Sequence, residues 1–299
     1  MVHRSGFVNI IGRPNVGKST LMNALVGERM SIITNKPQTT RHRIIGILSG
    51  EDFQIVFSDT PGMIKKPSYK MQEAMNKFVL STFEDADLFL FVTDPNERYG
   101  EEDPFLEKLK QAPAPLFICL NKVDLLTQEV VVDHIKFWEE NFPNASIFPI
   151  SALEKIGTEG MLEKILEQLP EGPEYYPKDQ LTDRPERFFV TEIIREKILE
   201  LYREEIPYSC EVKIESFKEG KTSRDEPIVR ISALIFVGRK SQKNILIGHQ
   251  GSAIKKLGTL SRKSIEKWLE TKVHLELFVK VRDNWRDDER SLSGFGYQS

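Results

Sequence analysis

The chain has 299 residues, enough for two domains that each bury their own core. Hydrophobic residues make up 39% and charged residues 29%, a balance that excludes a disordered or fibrous chain, and no apolar run approaches the roughly 18 residues a membrane-spanning helix needs. The formal net charge of −3 conceals an asymmetry: residues 1–179 carry 19 basic and 26 acidic side chains, residues 180–299 carry 23 and 19, so the halves stand at −7 and +4 and the second suits a polyanionic partner. Cys119 and Cys210 lie far apart in apolar strand-like stretches, which predicts buried reduced thiols with no disulfide partner and no metal. The amino terminus runs straight into apolar sequence with no room for a signal peptide, so the expected location is cytoplasmic.

The first informative stretch is Gly12-Arg13-Pro14-Asn15-Val16-Gly17-Lys18-Ser19-Thr20, which fits G-x-x-x-x-G-K-[ST]. Before it, Phe7–Ile11 predicts a buried strand; after it, Lys18–Val26 predicts a helix packing through Leu21, Leu25 and Val26. A nucleoside-triphosphate loop requires that context. Its glycines let main-chain N–H groups approach phosphate oxygens, and the helix amino end adds partial positive charge. Lys18 would neutralise the β- and γ-phosphates and the Ser19 hydroxyl would ligate Mg²⁺.

Residues 28–43 are polar, interrupted by Pro37, and long for a connection, which suits a switch loop able to bring a hydroxyl to Mg²⁺. Thr40 is the candidate, with Thr39 the alternative. Ile44–Leu48 and Phe53–Phe57 form a hairpin pattern across Ser49-Gly50-Glu51-Asp52, and the second run leads into Asp59-Thr60-Pro61-Gly62. An Asp at a strand's carboxyl end beside a phosphate loop suits a direct or water-mediated role at Mg²⁺.

Leu88–Val92 is apolar throughout, as a central parallel strand should be, and Pro115–Leu120 runs into Asn121-Lys122-Val123-Asp124. That motif decides the base. A carboxylate can accept from guanine's N1–H and exocyclic amine, whereas adenine offers no donor at N1 and carries its amine at C6, and a site with buried groups left unpaired rejects the wrong base strongly. A further strand, Ser146–Ile150, leads to Ser151-Ala152-Leu153, where a backbone amide reaches the guanine carbonyl, Ser151 caps a helix, or both. Gly160–Leu169 is a closing amphipathic helix.

Strands alternating with helices predict an α/β fold, a doubly wound and mostly parallel P-loop sheet with ligand loops at the strands' carboxyl ends. These five stretches, in this order, resemble the translation-factor-like GTPases, closest to the Era family. The resemblance implies that Gly62 is followed, at Met63, by the position where Ras-type enzymes place a water-orienting glutamine. A thioether does not do that work, so slow intrinsic hydrolysis is expected unless another group or partner substitutes. It also implies that Asn15 ligates a monovalent cation, K⁺, which supplies part of what the missing group would. Lys18, Asn15 and Thr40 are thus the expected catalytic residues.

Pro170-Glu171-Gly172-Pro173-Glu174-Tyr175-Tyr176-Pro177 holds three prolines and a glycine in eight residues, so the first domain is expected to span 1–170, a linker 171–182 and a second domain 183–299. There, Arg187–Tyr202 predicts a helix, Ser209–Phe217 a half-buried strand with Glu211 on its polar side, Lys218–Pro227 a charged loop, and Ile228–Val237 a second strand. The apolar helix end Ile247 is followed by Gly248-His249-Gln250-Gly251 and a helix from Ser252 carrying Ile254, Lys255 and Lys256. Residues 239–267 hold Arg239, Lys240, Lys243, Lys255, Lys256, Arg262, Lys263 and Lys267 against one acid, Glu266. With a third strand at Val273–Val281 the order is α-β-β-α-α-β, which resembles the α+β type II KH module, whose G-x-x-G backbone presses on a sugar-phosphate chain while single-stranded bases lie in the adjoining groove. The tail aromatics Trp285, Phe295 and Tyr297 are expected to anchor the tail, stacking on bases being the alternative.

A GTPase domain followed by a KH module resembles the Era family over essentially the whole chain. The resemblance implies GTP and GDP as ligands, Mg²⁺ as cofactor, binding of the 16S rRNA 3′ end and a role in 30S subunit assembly; peripheral contact with the inner face of the cell membrane is also attributed to the family. The alternatives are a GTP-gated RNA-binding module whose hydrolysis is incidental, or a GTPase of tRNA modification or membrane-linked events.

Overall fold

The computed structural model describes residues 2–100 and 103–297. They form two compact units, Met1–Lys66 with Met75–Asp183, and Arg184–Ser299 with Pro67–Ala74.

The first unit is built on a six-stranded sheet in the order β2-β3-β1-β4-β5-β6, where β1 is Arg4–Ile11, β2 Ile44–Ser49, β3 Phe53–Asp59, β4 Leu88–Thr93, β5 Leu116–Leu120 and β6 Ser146–Pro149. Only the β2–β3 pair is antiparallel, a hairpin closed by Gly50 N–H donating to Phe53 O. All six residues of β4 are buried, as an all-apolar strand covered on both faces must be. Helix α1 (Lys18–Val26) follows β1, and β1 lies between β3 and β4, so the chain reverses its winding there and opens a crevice beyond the strands' carboxyl ends. Sequence periodicity had not singled out α2 (Lys70–Asp85), α3 (Pro104–Lys110) or α4 (Gln128–Asn141). Helix α3 has a local signature, Asp103 as N-cap accepting from Phe105 N–H with Pro104 at the first position. Helix α5 (Thr158–Gln168) closes the unit, starting two residues and ending one residue earlier than expected.

The proline-rich stretch after α5 stops the helix, yet it is not a free tether. His3 Nδ1 lies 2.8 Å from Gly172 O, Ser5 Oγ donates to Pro173 O, and the Gln54 carboxamide accepts from Tyr175 and Tyr176 N–H while donating to Tyr176 O. Residues 171–181 therefore lie along the first unit's sheet, ending where Ile47 N–H donates to Leu181 O.

In the second unit, α6 (Glu186–Leu201), a one-turn α7 (Ile206–Ser209), β7 (Cys210–Lys221), β8 (Pro227–Val237), α8 (Lys240–Ile247), α9 (Ser252–Leu269), β9 (Lys272–Val281) and α10 (Glu289–Gly294) follow in order. The sheet runs β7-β8-β9, with β8 antiparallel to β7 and parallel to β9. Two expectations need correction. Half of the charged segment 218–227 is strand, because the β7–β8 ladder continues until Lys221 pairs with Pro227 and leaves only the five residues between as a turn. Glu211 is buried rather than outward, because the tail covers it: Tyr297 Oη donates to its carboxylate at 2.8 Å. Trp285, 1% exposed, donates its indole N–H to Ser209 O, so the tail aromatics anchor the tail. Both cysteines are buried thiols. No described helix is long and apolar enough to cross a membrane.

Candidate functional site

A cavity of about 430 Å³ opens where β1, β3, β5 and β6 end. Its floor is the phosphate loop. Gly17 has φ 102°, a left-handed conformation, and a Cβ there would lie 2.2 Å from Asn121 Nδ2, so both backbone and space require glycine. The following helix starts with no side-chain cap, leaving its first N–H groups for a ligand. Lys18 is 6% exposed, and its ammonium donates to Gly12 O (3.1 Å) and Arg13 O (2.8 Å). Burial lowers its pKa to about 8, with Asp59 pulling the other way. Such a cation is held out of water at the point where phosphate charge would be delivered.

Behind Lys18, Ser19 Oγ donates to Asp59 Oδ2 (2.6 Å) and lies 2.9 Å from Thr40 Oγ1, which is 3.3 Å from the same carboxylate oxygen. Thr39 is engaged in turn chemistry, its hydroxyl 2.7 Å from both Thr34 Oγ1 and Lys36 O. The geometry therefore favours Thr40 over Thr39 as the hydroxyl that joins Ser19. The Ser31 hydroxyl faces the same buried carboxylate, beside Asp59 Oδ1. Burial raises the Asp59 pKa, opposed by Lys18 and the Ser19 hydroxyl. Two hydroxyls and a buried carboxylate are an all-oxygen donor set that fits Mg²⁺.

The base end is held by Asn121, which donates to Val16 O (2.8 Å) and accepts from Ala152 N–H (2.9 Å), tying three loops together. Lys122 adopts φ 66° and reaches back to Asn15 O (2.8 Å) and to Asp94 Oδ2 (2.7 Å). Asp124, exposed on the cavity wall, has an uncommitted carboxylate among the described residues. Leu125 and Leu153, 73% and 74% exposed, offer apolar surface on the same wall for the faces of a base.

The other anticipated residues sort themselves. Pro14, Thr20, Gly62 and Ser151 line the cavity, whereas Gly12, Val16, Asp59, Thr60, Pro61, Val123 and Ala152 lie behind it. Val16 is core, and Thr60 donates to Ile10 O to hold the end of β3. Met63 packs against the apolar cluster of Phe89, Phe91 and Phe105. Arg13 pairs with Glu97 and Asp103 and stacks 4.1 Å over Tyr99. Asn15 donates to Asn35 O at 3.3 Å, leaving its carboxamide oxygen uncommitted among the described residues. Ile32, Ile33, Asn35 and Gln38 also line the cavity, and Asp94 and Leu125 complete the base end. Sequence reasoning assigned none of these, nor Thr34 on the same wall, to the site; the unusual length of residues 28–43 was the signal for that loop, Leu125 directly follows the Asn121–Asp124 motif, and nothing local marks Asp94.

In the second unit, Gly248 (φ 73°), Gln250 (φ 49°) and Gly251 (φ 77°) form a corner of left-handed backbone between α8 and α9. A Cβ on Gly251 would meet nothing within 4 Å, so its outer side is open. Arg239, Lys240, His249, Gln250, Lys255 and Lys256 are exposed around the corner, while Lys243, Ile247 and Ile254 are half-buried beside it.

Fold and site together define a P-loop GTPase carrying a KH domain. Residues 7–122 match the family model described as a 50S ribosome-binding GTPase, and residues 205–286 match the KH domain. The GTPase Era of Geobacter metallireducens is 47% identical over 98% of both chains. An Era variant from Aquifex aeolicus, solved with GDP and AlF4⁻, superposes with a TM-score of 0.93 at 36% identity, over 99% of this chain and all of that one. An Era structure solved with MgGDPNP and nucleotides 1506–1542 of 16S ribosomal RNA gives 0.93 at 35%, with the same coverage. The chain belongs to the Era family of GTPases, and it is a GTP-hydrolysing enzyme.

Proposed function

We propose that this GTPase is a nucleotide-controlled switch that binds the 3′ end of small-subunit rRNA through its KH domain and acts in 30S subunit assembly. The observation that carries this reading is the open G-x-x-G corner ringed by cations, on a chain whose first unit is a GTP site. Likeness over the whole chain to a structure holding a 16S rRNA fragment supports it.

In this reading the functional modules are residues 1–170 and 183–299, joined by 171–182. Gly12 to Thr20 cradle the phosphates, Lys18 neutralises the β- and γ-oxygens, Asp124 accepts from the guanine edge, and Asn121 and Lys122 hold the loops in register. Ser19, Thr40 and Asp59 would hold Mg²⁺, which when bound spreads positive charge over the β- and γ-phosphate oxygens. Recruiting the Thr40 hydroxyl orders residues 28–43 when the γ-phosphate is present, and hydrolysis releases them. Water attacks the γ-phosphate slowly, because Met63 offers no group to orient it. The Asn15 oxygen suits K⁺ as a further cofactor. The protein works in the cytoplasm, with peripheral contact at the inner face of the cell membrane.

The RNA end of the proposal is tested by Gly251→Asp. The new side chain has space but must accept left-handed backbone, a strain of about 1 kcal/mol that Asp tolerates, so melting is expected to change by only a few degrees. Its carboxylate faces phosphate, and RNA affinity is expected to fall at least about tenfold in a filter-binding titration, with GTP hydrolysis unchanged. In competition, an oligonucleotide copying the 16S 3′ end should displace bound label well below the concentration of tRNA required. Equal displacement by tRNA would favour a tRNA-directed GTPase instead.

A further inference from the structure

The loop after Gly62 packs Met63 on the apolar cluster of Phe89, Phe91 and Phe105. Asn76 closes a pair of hydrogen bonds with Ile64, from Ile64 N–H (2.9 Å) and to Ile64 O (2.8 Å). The next residue, Lys65, is 67% exposed along its side chain, yet its ammonium lies 3.1 Å from Asp103 Oδ2. That oxygen is also 2.7 Å from Arg13 Nη2 of the phosphate loop. Asp103 is 3% exposed, and its second oxygen accepts from Phe105 N–H at the start of α3. Arg13 is itself immobilised: Nη1 donates to Glu97 and to Arg98 O, both at 2.7 Å, and the guanidinium covers the Tyr99 ring, which packs on Phe91 and Trp138. One buried carboxylate thus receives a fixed arginine from the loop that holds the phosphates and an exposed lysine from the loop beside the γ-phosphate position. Burial acts to raise the Asp103 pKa, but Lys65, Arg13 and the Phe105 amide hold it below the usual range, so the group is charged at neutral pH.

We propose that Asp103 is a positioning residue for GTP hydrolysis, fixing the loop that follows Gly62 to the phosphate loop through a carboxylate shared by Lys65 and Arg13. Hydrolysis needs water and γ-phosphate held in line, and a loop free to wander by an ångström loses that alignment. Because Lys65 is exposed its pairing is weak, which makes the latch reversible and its effect modest. Neither residue would touch the nucleotide, so the latch affects the rate rather than ground-state binding.

The test is single-turnover hydrolysis of pre-bound GTP, alongside titration with a non-hydrolysable GTP analogue, in the full chain. Lys65→Met should slow hydrolysis roughly two- to fivefold with analogue affinity unchanged, the range expected from losing one exposed ion pair. Lys65→Arg, which can reach the same carboxylate, should restore the rate. Asp103→Asn keeps an acceptor for the Phe105 amide but removes the charge; it should slow hydrolysis at least as much, and adding Lys65→Met to it should slow it no further. Three outcomes would overturn the proposal: Lys65→Met hydrolysing at the wild-type rate, losing rate and analogue affinity in parallel, or not being rescued by arginine.

Discussion

Asp124→Asn is expected to lower GTP affinity by roughly 10³- to 10⁵-fold while leaving the fold intact, the range over which a site built for particular donors rejects a mismatched group. Asp124 is exposed and uncommitted among the described residues, so its replacement removes no structural contact. What changes is chemistry. Guanine presents two donors, N1–H and the C2 amine, and a carboxylate accepts both; a carboxamide accepts one and sets its own N–H against the other. Xanthine carries a carbonyl at C2 in place of the amine, so the variant should bind a xanthine nucleotide better than the wild type does. Isothermal titration of both proteins with both nucleotides checks this. An Asp124→Asn protein that still binds GTP within tenfold of wild type would remove the base assignment.

Lys18→Met should abolish tight triphosphate binding and, at pH 7, make the nucleotide-free protein more stable. The sign follows from the depressed pKa. In the unfolded chain the ammonium titrates at its ordinary value of 10.5 and in the fold at about 8, so the unfolded state binds the proton more tightly. Keeping the charge buried costs on the order of 3 kcal/mol below pH 8, and that cost fades as pH rises from 8 towards 10.5. Methionine removes the charge but leaves Gly12 O and Arg13 O without their donor, which returns about 1 kcal/mol each. The net gain is about 1 kcal/mol, a rise of a few degrees in Tm at pH 7 that should shrink by pH 10. Thermal melts of both nucleotide-free proteins across that range decide it. An equal or lower Tm for the variant at pH 7 would contradict the account of Lys18.

The sequence made the two units legible because each carries a motif whose residues must be neighbours along the chain: the phosphate loop on one strand–helix turn, and Gly248 to Gly251 on one helix corner. Asn121 and Asp124 were legible for the same reason, since one strand end delivers both. Asp94 was not, because it meets Lys122 only after β4 and β5 pair side by side, and nothing local marks it. Thr39 and Thr40 are equivalent in sequence; only the folded loop turns one hydroxyl to Lys36 O and the other to Ser19. Glu211 looked outward by strand alternation, and a tail more than seventy residues further on buried it. The proline-rich segment read as a break, and the break is real for the helix. Its hydrogen bonds to Ser5 and Gln54 depend on partners over a hundred residues away.

The central claim, that GTP controls binding of the rRNA 3′ end, is tested most directly by fluorescence anisotropy with a labelled single-stranded RNA copying the small-subunit 3′ end. The full chain is titrated at one fixed salt concentration, loaded first with a non-hydrolysable GTP analogue and then with GDP. The account predicts saturable binding with the analogue and at least about tenfold weaker binding with GDP, a coupling of about 1.4 kcal/mol between the two sites. Equal affinity in the two states would leave a GTPase and an RNA-binding domain on one chain, with no switch between them.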